Sequence, residues 1–110
     1  MSLQHVVLFH FPNGLAPGDE ANLFAQVHRW PTEIGDFEDL RLGRAVDSSR
    51  SKGYQYLLSM ELCDEAALLR YREHPSHKSF VSWLERHEAT LLGFDFYLDQ
   101  SSLIHSRTMD

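Results

Sequence analysis

The seven histidines of this 110-residue sequence are the side chains best suited to chemistry near neutral pH. Two of them, His74 and His77, are close together in the segment His-Pro-Ser-His. This spacing suggests a metal site, but Pro75 favours a break in the helix between them, so the two rings need not converge. A zinc site also needs further ligands, for which His5 and Asp95 are the candidates. We therefore predict neither a bound metal nor a cofactor.

The single cysteine, Cys63, is a weak candidate for a nucleophile. It lies in Glu-Leu-Cys-Asp-Glu, where no positive charge favours the thiolate that a nucleophilic cysteine requires. One cysteine also excludes a disulfide within the chain. We expect a free, half-buried thiol in a reducing compartment. The first residues show no basic segment followed by a long apolar one, so we expect no secretion signal and a cytoplasmic protein.

Charge and composition argue against several classes of partner. Sixteen acidic and ten basic residues give a formal net charge of −6, whereas nucleic acids and anionic membranes require clustered Lys and Arg. No apolar run reaches the length of a membrane-spanning helix. Aromatic residues at positions 54, 56, 94 and 96 resemble an RNA-binding platform, but no basic residues alternate with them, so packing in a core or dimer is favoured.

Hydrophobic spacing predicts one α+β domain over residues 1–98 and a polar tail over residues 99–110. Apolar runs and alternation predict strands over residues 4–11, 40–45, 54–62 and 92–98. Helical spacing predicts a helix over residues 17–30 that Pro31 ends, and a second from the N-cap Asp64 to residue 73. A further helical stretch starts at Ser76 and includes Leu91 on its apolar side.

This order predicts a ferredoxin-like βαββαβ fold, in which helices cover one face of a four-stranded antiparallel sheet. The other sheet face then has no partner within the chain. In the first and last strands, both sets of alternate residues contain large apolar side chains, so this free face is apolar whichever set meets the helices. A large exposed apolar patch marks an interface, and we predict a homodimer formed sheet to sheet.

The segment over residues 71–80, Tyr-Arg-Glu-His-Pro-Ser-His-Lys-Ser-Phe, resembles the Tyr-x-x-His-Pro-x-His-x-x-Phe segment of the stress-responsive A/B-barrel domain family. Further matches follow in the family's order at residues 5–9, 53–54, 64–68 and 95–96. The resemblance covers roughly residues 4–98 and implies a ferredoxin-like monomer that pairs into a dimeric α/β barrel. It does not imply one function, because many members have no known activity.

Some members of this family are similar to olivetolic acid cyclase, which closes an aromatic ring without a cofactor. The resemblance to them implies that His77 is the acid/base, that Asp95 orients it, and that Tyr71 and His5 line the cavity. These residue types suit the reaction, because an imidazole held by a carboxylate moves protons and a phenol donates to a developing enolate. Where the cyclase-like members have a Tyr on the first helix, this chain has Val27.

Two functions remain open at this stage. One is a homodimer of undetermined activity, with a small apolar cavity between sheet and helices for an apolar or phenolic ligand. The other is a cofactor-independent polyketide cyclase or lyase that uses the His77–Asp95 pair. The alternative interpretation of this pair, which we favour, is a buried structural contact. A haem- or oxygen-using function has only the fold in its favour. The remaining histidines are predicted to be surface or interface residues: His10, His28, His87 and His105.

Overall fold

The computed structural model describes residues 1–105, which form a four-stranded antiparallel sheet with three helices. The elements are β1 (Leu3–His10), α1 (Pro17–Glu33), β2 (Phe37–Arg44), β3 (Tyr56–Leu62), α2 (Glu65–Glu73), α3 (Pro75–Arg86) and β4 (Thr90–Tyr97). The strand order is β2-β3-β1-β4, and each neighbouring pair is antiparallel. The predicted ferredoxin-like fold is confirmed. Part of the predicted tail, residues 106–110, lies outside the described residues.

The hydrophobic core lies between the helices and one face of the sheet. The alternating residues of β3 make the largest contribution from the sheet, and the helices add bulky side chains such as Trp30, Phe80 and Trp83. Asp64 is the N-cap of α2, as predicted, and its carboxylate accepts a hydrogen bond from the Ala67 amide at 2.8 Å. None of the helices in the described part of the chain has the length and apolarity that crossing a membrane requires.

Helix α1 continues through Pro31, so the prediction that this proline ends the helix is wrong. Pro31 lies in the last turn, where its missing N–H removes only one hydrogen bond. The Ile34 and Gly35 amides both donate to the Trp30 carbonyl, at 2.7 and 3.1 Å. The chain leaves the helix through Gly35 and Asp36, whose φ values of 74° and 66° are in the left-handed region. This backbone reversal, which glycine accommodates readily, sets the end of α1.

Leu91 belongs to β4 and is exposed, so its predicted place on the apolar side of the last helix is wrong. Helix α3 ends at Arg86, and the next residues turn through Glu88, whose φ is 57°. A left-handed residue cannot continue a right-handed helix. The apolar spacing therefore runs past the true end of the helix and into the following strand.

Two strand boundaries and one side chain also differ from the predictions. Strand β2 begins at Phe37, three residues before the predicted start at residue 40. Phe37 pairs with Leu62 of β3, and the register shifts at a bulge between Phe37 and Asp39. Tyr54 precedes β3 and belongs to the loop that connects it to β2. Cys63 is exposed rather than half-buried, because it lies in the turn between β3 and α2.

The sheet face away from the helices is uncovered in the single chain and exposes large apolar side chains, as predicted, beside polar residues such as Gln4, Ser59 and Arg41. Its most exposed apolar side chains are Phe94 (68%), Leu92 (50%), Phe96 (39%) and Leu57 (39%). Val6 lies opposite Phe94 and Leu8 lies opposite Leu92 in the β1–β4 register, so these side chains share one face. We call this surface the open face.

Candidate functional site

The structure brings together the four candidate residues from the sequence. We call this group the polar cluster: His5 in β1, Tyr71 in α2, His77 in α3 and Asp95 in β4. His5 and Tyr71 are buried, with exposed fractions of 8% and 2%. The centroid of the Tyr71 ring lies 5.9 Å from that of His5 and 4.4 Å from that of His77. The cluster therefore lies between the helices and the sheet, on the face that holds the core.

Asp95 binds His5 rather than His77. The Nδ1 atom of His5 hydrogen-bonds to Oδ1 of Asp95, and Nη2 of Arg72 lies 3.6 Å from Oδ2 of the same carboxylate. The β1–β4 register places His5 directly opposite Asp95, which is why these two side chains meet. The resemblance had implied a His77–Asp95 pair instead. Because a carboxylate accepts, Nδ1 of His5 carries a proton and, in the neutral ring, Nε2 is an acceptor.

The backbone holds His77 in the same tautomer. Its Nδ1 atom lies 3.1 Å from the carbonyl oxygen of Arg72. A carbonyl oxygen only accepts, so Nδ1 carries the proton and Nε2 has the free lone pair. Burial lowers the pKa of His77 below its ordinary value of 6.5, although the hydrogen bond to the Arg72 carbonyl acts in the opposite direction. The ring is therefore neutral at neutral pH.

Aromatic rings enclose Tyr71. The centroid of its ring lies 5.4 Å from Trp30 and 5.9 Å from Phe37, in addition to the two histidines. Trp30 is itself held by Phe80, with ring centroids 5.0 Å apart. Burial raises the pKa of Tyr71, so its hydroxyl stays protonated and able to donate. The cluster thus presents polar atoms against an apolar wall that Trp30 and Phe37 form.

A cavity of 130 Å³ lies beside the carboxylate end of the cluster. Its lining is largely apolar and includes Leu3, Leu68 and Phe96 next to Asp95. Glu65 and Tyr97 also line it, and the Tyr97 hydroxyl donates to the Glu65 carboxylate. A separate cavity of 210 Å³ borders Val27, Leu40 and Leu42 on the other side of the core. Asp95 is the member of the polar cluster that lines this cavity.

The other histidines have different surroundings. His74 caps α3, where its Nδ1 atom accepts from the Ser76 amide at 3.1 Å. His10 and His87 each contact a backbone carbonyl through Nδ1, at 2.8 and 2.9 Å. His28 and His105 are exposed. Among residues 1–105, no group of three or more His, Cys, Asp or Glu side chains is arranged to hold a metal ion.

Arg72 and Trp30 also belong to this site, although neither was among the predicted site residues. Arg72 places its guanidinium beside Asp95 and its carbonyl at His77. Its position next to Tyr71 in the sequence could have indicated the contact with Asp95. The contact with His77 uses a backbone carbonyl, which every residue type has, so the sequence could not indicate it. Trp30 lies at the end of the predicted first helix, and only the packing of α1 against α2 and α3 places it against Tyr71 and His77.

Comparisons with known proteins agree with the fold. The family model of the stress responsive A/B barrel domain matches residues 3–98. An uncharacterized protein of Streptomyces coelicolor is 31% identical over 97 residues, which cover 86% of this chain and 99% of the relative. A dimeric ferredoxin-like protein of unknown function from Thermobifida fusca superposes with a TM-score of 0.77 at 18% identity, over 89% of this chain and 92% of the other. Hydroxynitrile lyase from Passiflora edulis superposes with a TM-score of 0.72 at 12% identity, over 87% of this chain and 94% of the other. At such identities the two solved structures establish the fold alone.

Proposed function

Because this chain belongs to the stress-responsive A/B-barrel domain family, whose fold does not prescribe one activity, we propose that it is a homodimer that binds a small apolar or phenolic molecule at the polar cluster. The observation that carries this proposal is the locking of both imidazoles. Asp95 fixes Nδ1 of His5, and the Arg72 carbonyl fixes Nδ1 of His77. Nε2 of either ring, when that ring is neutral, is therefore an acceptor.

The chemistry of the cluster favours a ligand that carries a hydroxyl group on an apolar body. Such a hydroxyl donates to an imidazole Nε2 and accepts from the Tyr71 hydroxyl, which burial keeps protonated. Leu3, Leu68 and Phe96, which line the cavity beside Asp95, would contact the apolar body of the molecule. Hydrogen bonds in this poorly solvated region are stronger than the same bonds in water.

The open face supports the dimer. An uncovered sheet face with Phe94, Leu92 and Phe96 exposed is unfavourable in a monomer, and a second copy would bury it symmetrically. The dimeric relative from Thermobifida fusca has the same fold. A cytoplasmic location is part of the same proposal, because Cys63 is an exposed free thiol that a reducing compartment would preserve.

The test uses 2-naphthol as a probe and follows the side-chain nitrogens of the histidines by ¹⁵N NMR. We expect the Nε2 signals of His5 and His77 to shift on titration, while that of the exposed His28 stays unchanged. Tyr71→Phe should weaken binding by about 2- to 10-fold, the effect of one lost hydrogen bond between neutral groups. His28→Gln is the matched control and should bind as the parent does. Equal shifts at all histidines, or none at His5 and His77, would contradict the proposal.

A second candidate is a cofactor-independent lyase or cyclase in which His5 moves the proton. The His5–Asp95 contact favours it, because a carboxylate on Nδ1 stabilises the imidazolium that forms when Nε2 takes a proton. The assay is deuterium exchange at the methyl group of acetophenone in D₂O. On this candidate His5→Gln reduces the exchange to the buffer rate, and His28→Gln retains it. Absence of exchange in the parent protein removes this candidate and leaves the binding proposal intact.

A further inference from the structure

Strand β2 has a notch on the open face at Gly43. Apart from its chain neighbours, no atom of residues 1–105 lies within 4 Å of the position that a Cβ on Gly43 would occupy. A cavity of 540 Å³ lies over this glycine, and its lining includes the apolar Leu8 and Leu57 together with polar residues such as Arg41 and Ser59. Glycine weakens the interior of a strand and often marks a place where another group approaches closely. The notch therefore has the character of a site that something outside this chain fills.

The opposite edge of the same face has a matching protrusion. Phe94 and Phe96 project from β4 with exposed fractions of 68% and 39%, and their ring centroids are 6.3 Å apart. Aromatic side chains that enter a pocket of the partner are typical anchors of protein interfaces. The open face thus has an aromatic protrusion on β4 and an apolar notch on β2.

The topology of the sheet allows these two features to meet across a two-fold axis. Strands β2 and β4 are the edges of the sheet in residues 1–105, and three antiparallel pairings separate them, so they run in opposite directions. A two-fold axis along the strands brings β4 of one copy beside β2 of the other in antiparallel orientation. This closes the two sheets into a barrel and removes the edges of both.

We propose that the Phe94–Phe96 pair of a second copy fills the Gly43 notch. The inference rests on the proposed homodimer and adds to it the residues that determine how the two sheets meet. Two-fold symmetry fills both notches at once and buries all four exposed rings. A small molecule in the notch is the competing occupant, and it predicts that neither Phe94→Ala nor Gly43→Phe changes the dissociation of the dimer.

The test measures the dimer dissociation constant of four variants by sedimentation velocity. Phe94→Ala should raise the constant at least about tenfold by emptying the notch, and Gly43→Phe should raise it by filling the notch in advance. In the double variant, the dissociation constant should rise far less than the product of the two single effects. The reason is that the phenylalanine ring introduced at position 43 occupies the space that the Phe94 ring of the second copy left. Leu69→Ala, at an exposed position on the helical side, is the matched control and should leave the constant unchanged. Circular dichroism checks that each variant is folded.

A second measurement does not depend on affinity. In a Cys63→Ser background, Gly43→Cys protein is mixed with Phe94→Cys protein and mildly oxidised, and we expect a disulfide between the two chains. Leu69→Cys replaces Phe94→Cys in the control mixture and should not cross-link. The inference is overturned if neither single variant changes the dissociation constant of the dimer, or if the effects of the two single variants simply multiply in the double variant. Either result leaves the homodimer standing. A monomeric parent protein at micromolar concentration overturns the homodimer as well.

Discussion

Replacing Trp30 with alanine would remove the largest fully buried side chain of the described residues, from the wall behind Tyr71. Trp30 is 1% exposed and packs edge-on against Tyr71 and Phe80. The substitution therefore opens space inside the core and next to the polar cluster. We expect a large loss of stability together with a new capacity to bind a flat apolar molecule.

The size of the loss follows from the burial. A tryptophan buries on the order of 150–250 Å², which at about 25 cal/mol per Å² gives about 4–6 kcal/mol. Alanine retains a small part of this, so the expected loss is about 3–5 kcal/mol. At about 4 °C per kcal/mol, the melting temperature should fall by about 12–20 °C. Since the free energy of unfolding of a native domain is about 5–15 kcal/mol, the variant should be only marginally stable.

The assay is urea denaturation followed by far-ultraviolet circular dichroism, at one fixed protein concentration because dimer formation contributes to the measured stability. Adding indole should restore part of the loss, since an apolar cavity of this kind binds an apolar guest. Trp30→Phe keeps one ring and should lose less. Leu69→Ala is the exposed control and should change stability by about 0.5 kcal/mol or less. A loss below about 1 kcal/mol for Trp30→Ala, or equal stabilisation of the control by indole, would refute this reasoning.

Three further outcomes are expected. The pKa of His77, followed by NMR, should lie below 6.5. Because folding lowers this pKa, the stability contributed by the neutral ring is present above pH 6.5 and is lost as the pH falls below it, and His77→Gln should flatten this pH dependence of stability. Hydrogen bonds from Arg44 and Tyr56 lower the pKa of Glu20 from 4.5 to about 2. The stability that the Glu20 carboxylate contributes is therefore present above pH 4.5 and lost as the pH falls towards 2, and the stability of Glu20→Gln should depend less on pH in that window. Asp64→Ala removes the N-cap of α2 and should cost about 1 kcal/mol in urea denaturation, whereas an unchanged midpoint would contradict the capping role.

Local patterns were sufficient where an element depends on its own residues. Alternation predicted the strand that forms β3, and a cap residue before an apolar helical pattern identified the start of α2 at Asp64. Hydrophobic spacing failed at Leu91, which lies beyond the turn at Glu88, and proline as a helix breaker failed at Pro31, because the chain turns only at Gly35 and Asp36. Such turns are single-residue events, so they leave no periodic signal for hydrophobic spacing to detect.

The sequence by itself determined the order of the elements, the apolar character of both sheet faces and the membership of the polar cluster. The tertiary structure decided which of these residues bind one another. His5 and Asp95 are 90 residues apart in the chain, and they meet because the register of β1 against β4 places them opposite each other. His77 is held instead by a carbonyl of the preceding helix. Strand register and helix placement arise from the packing of the whole domain, so no local pattern of residue types specifies these partners.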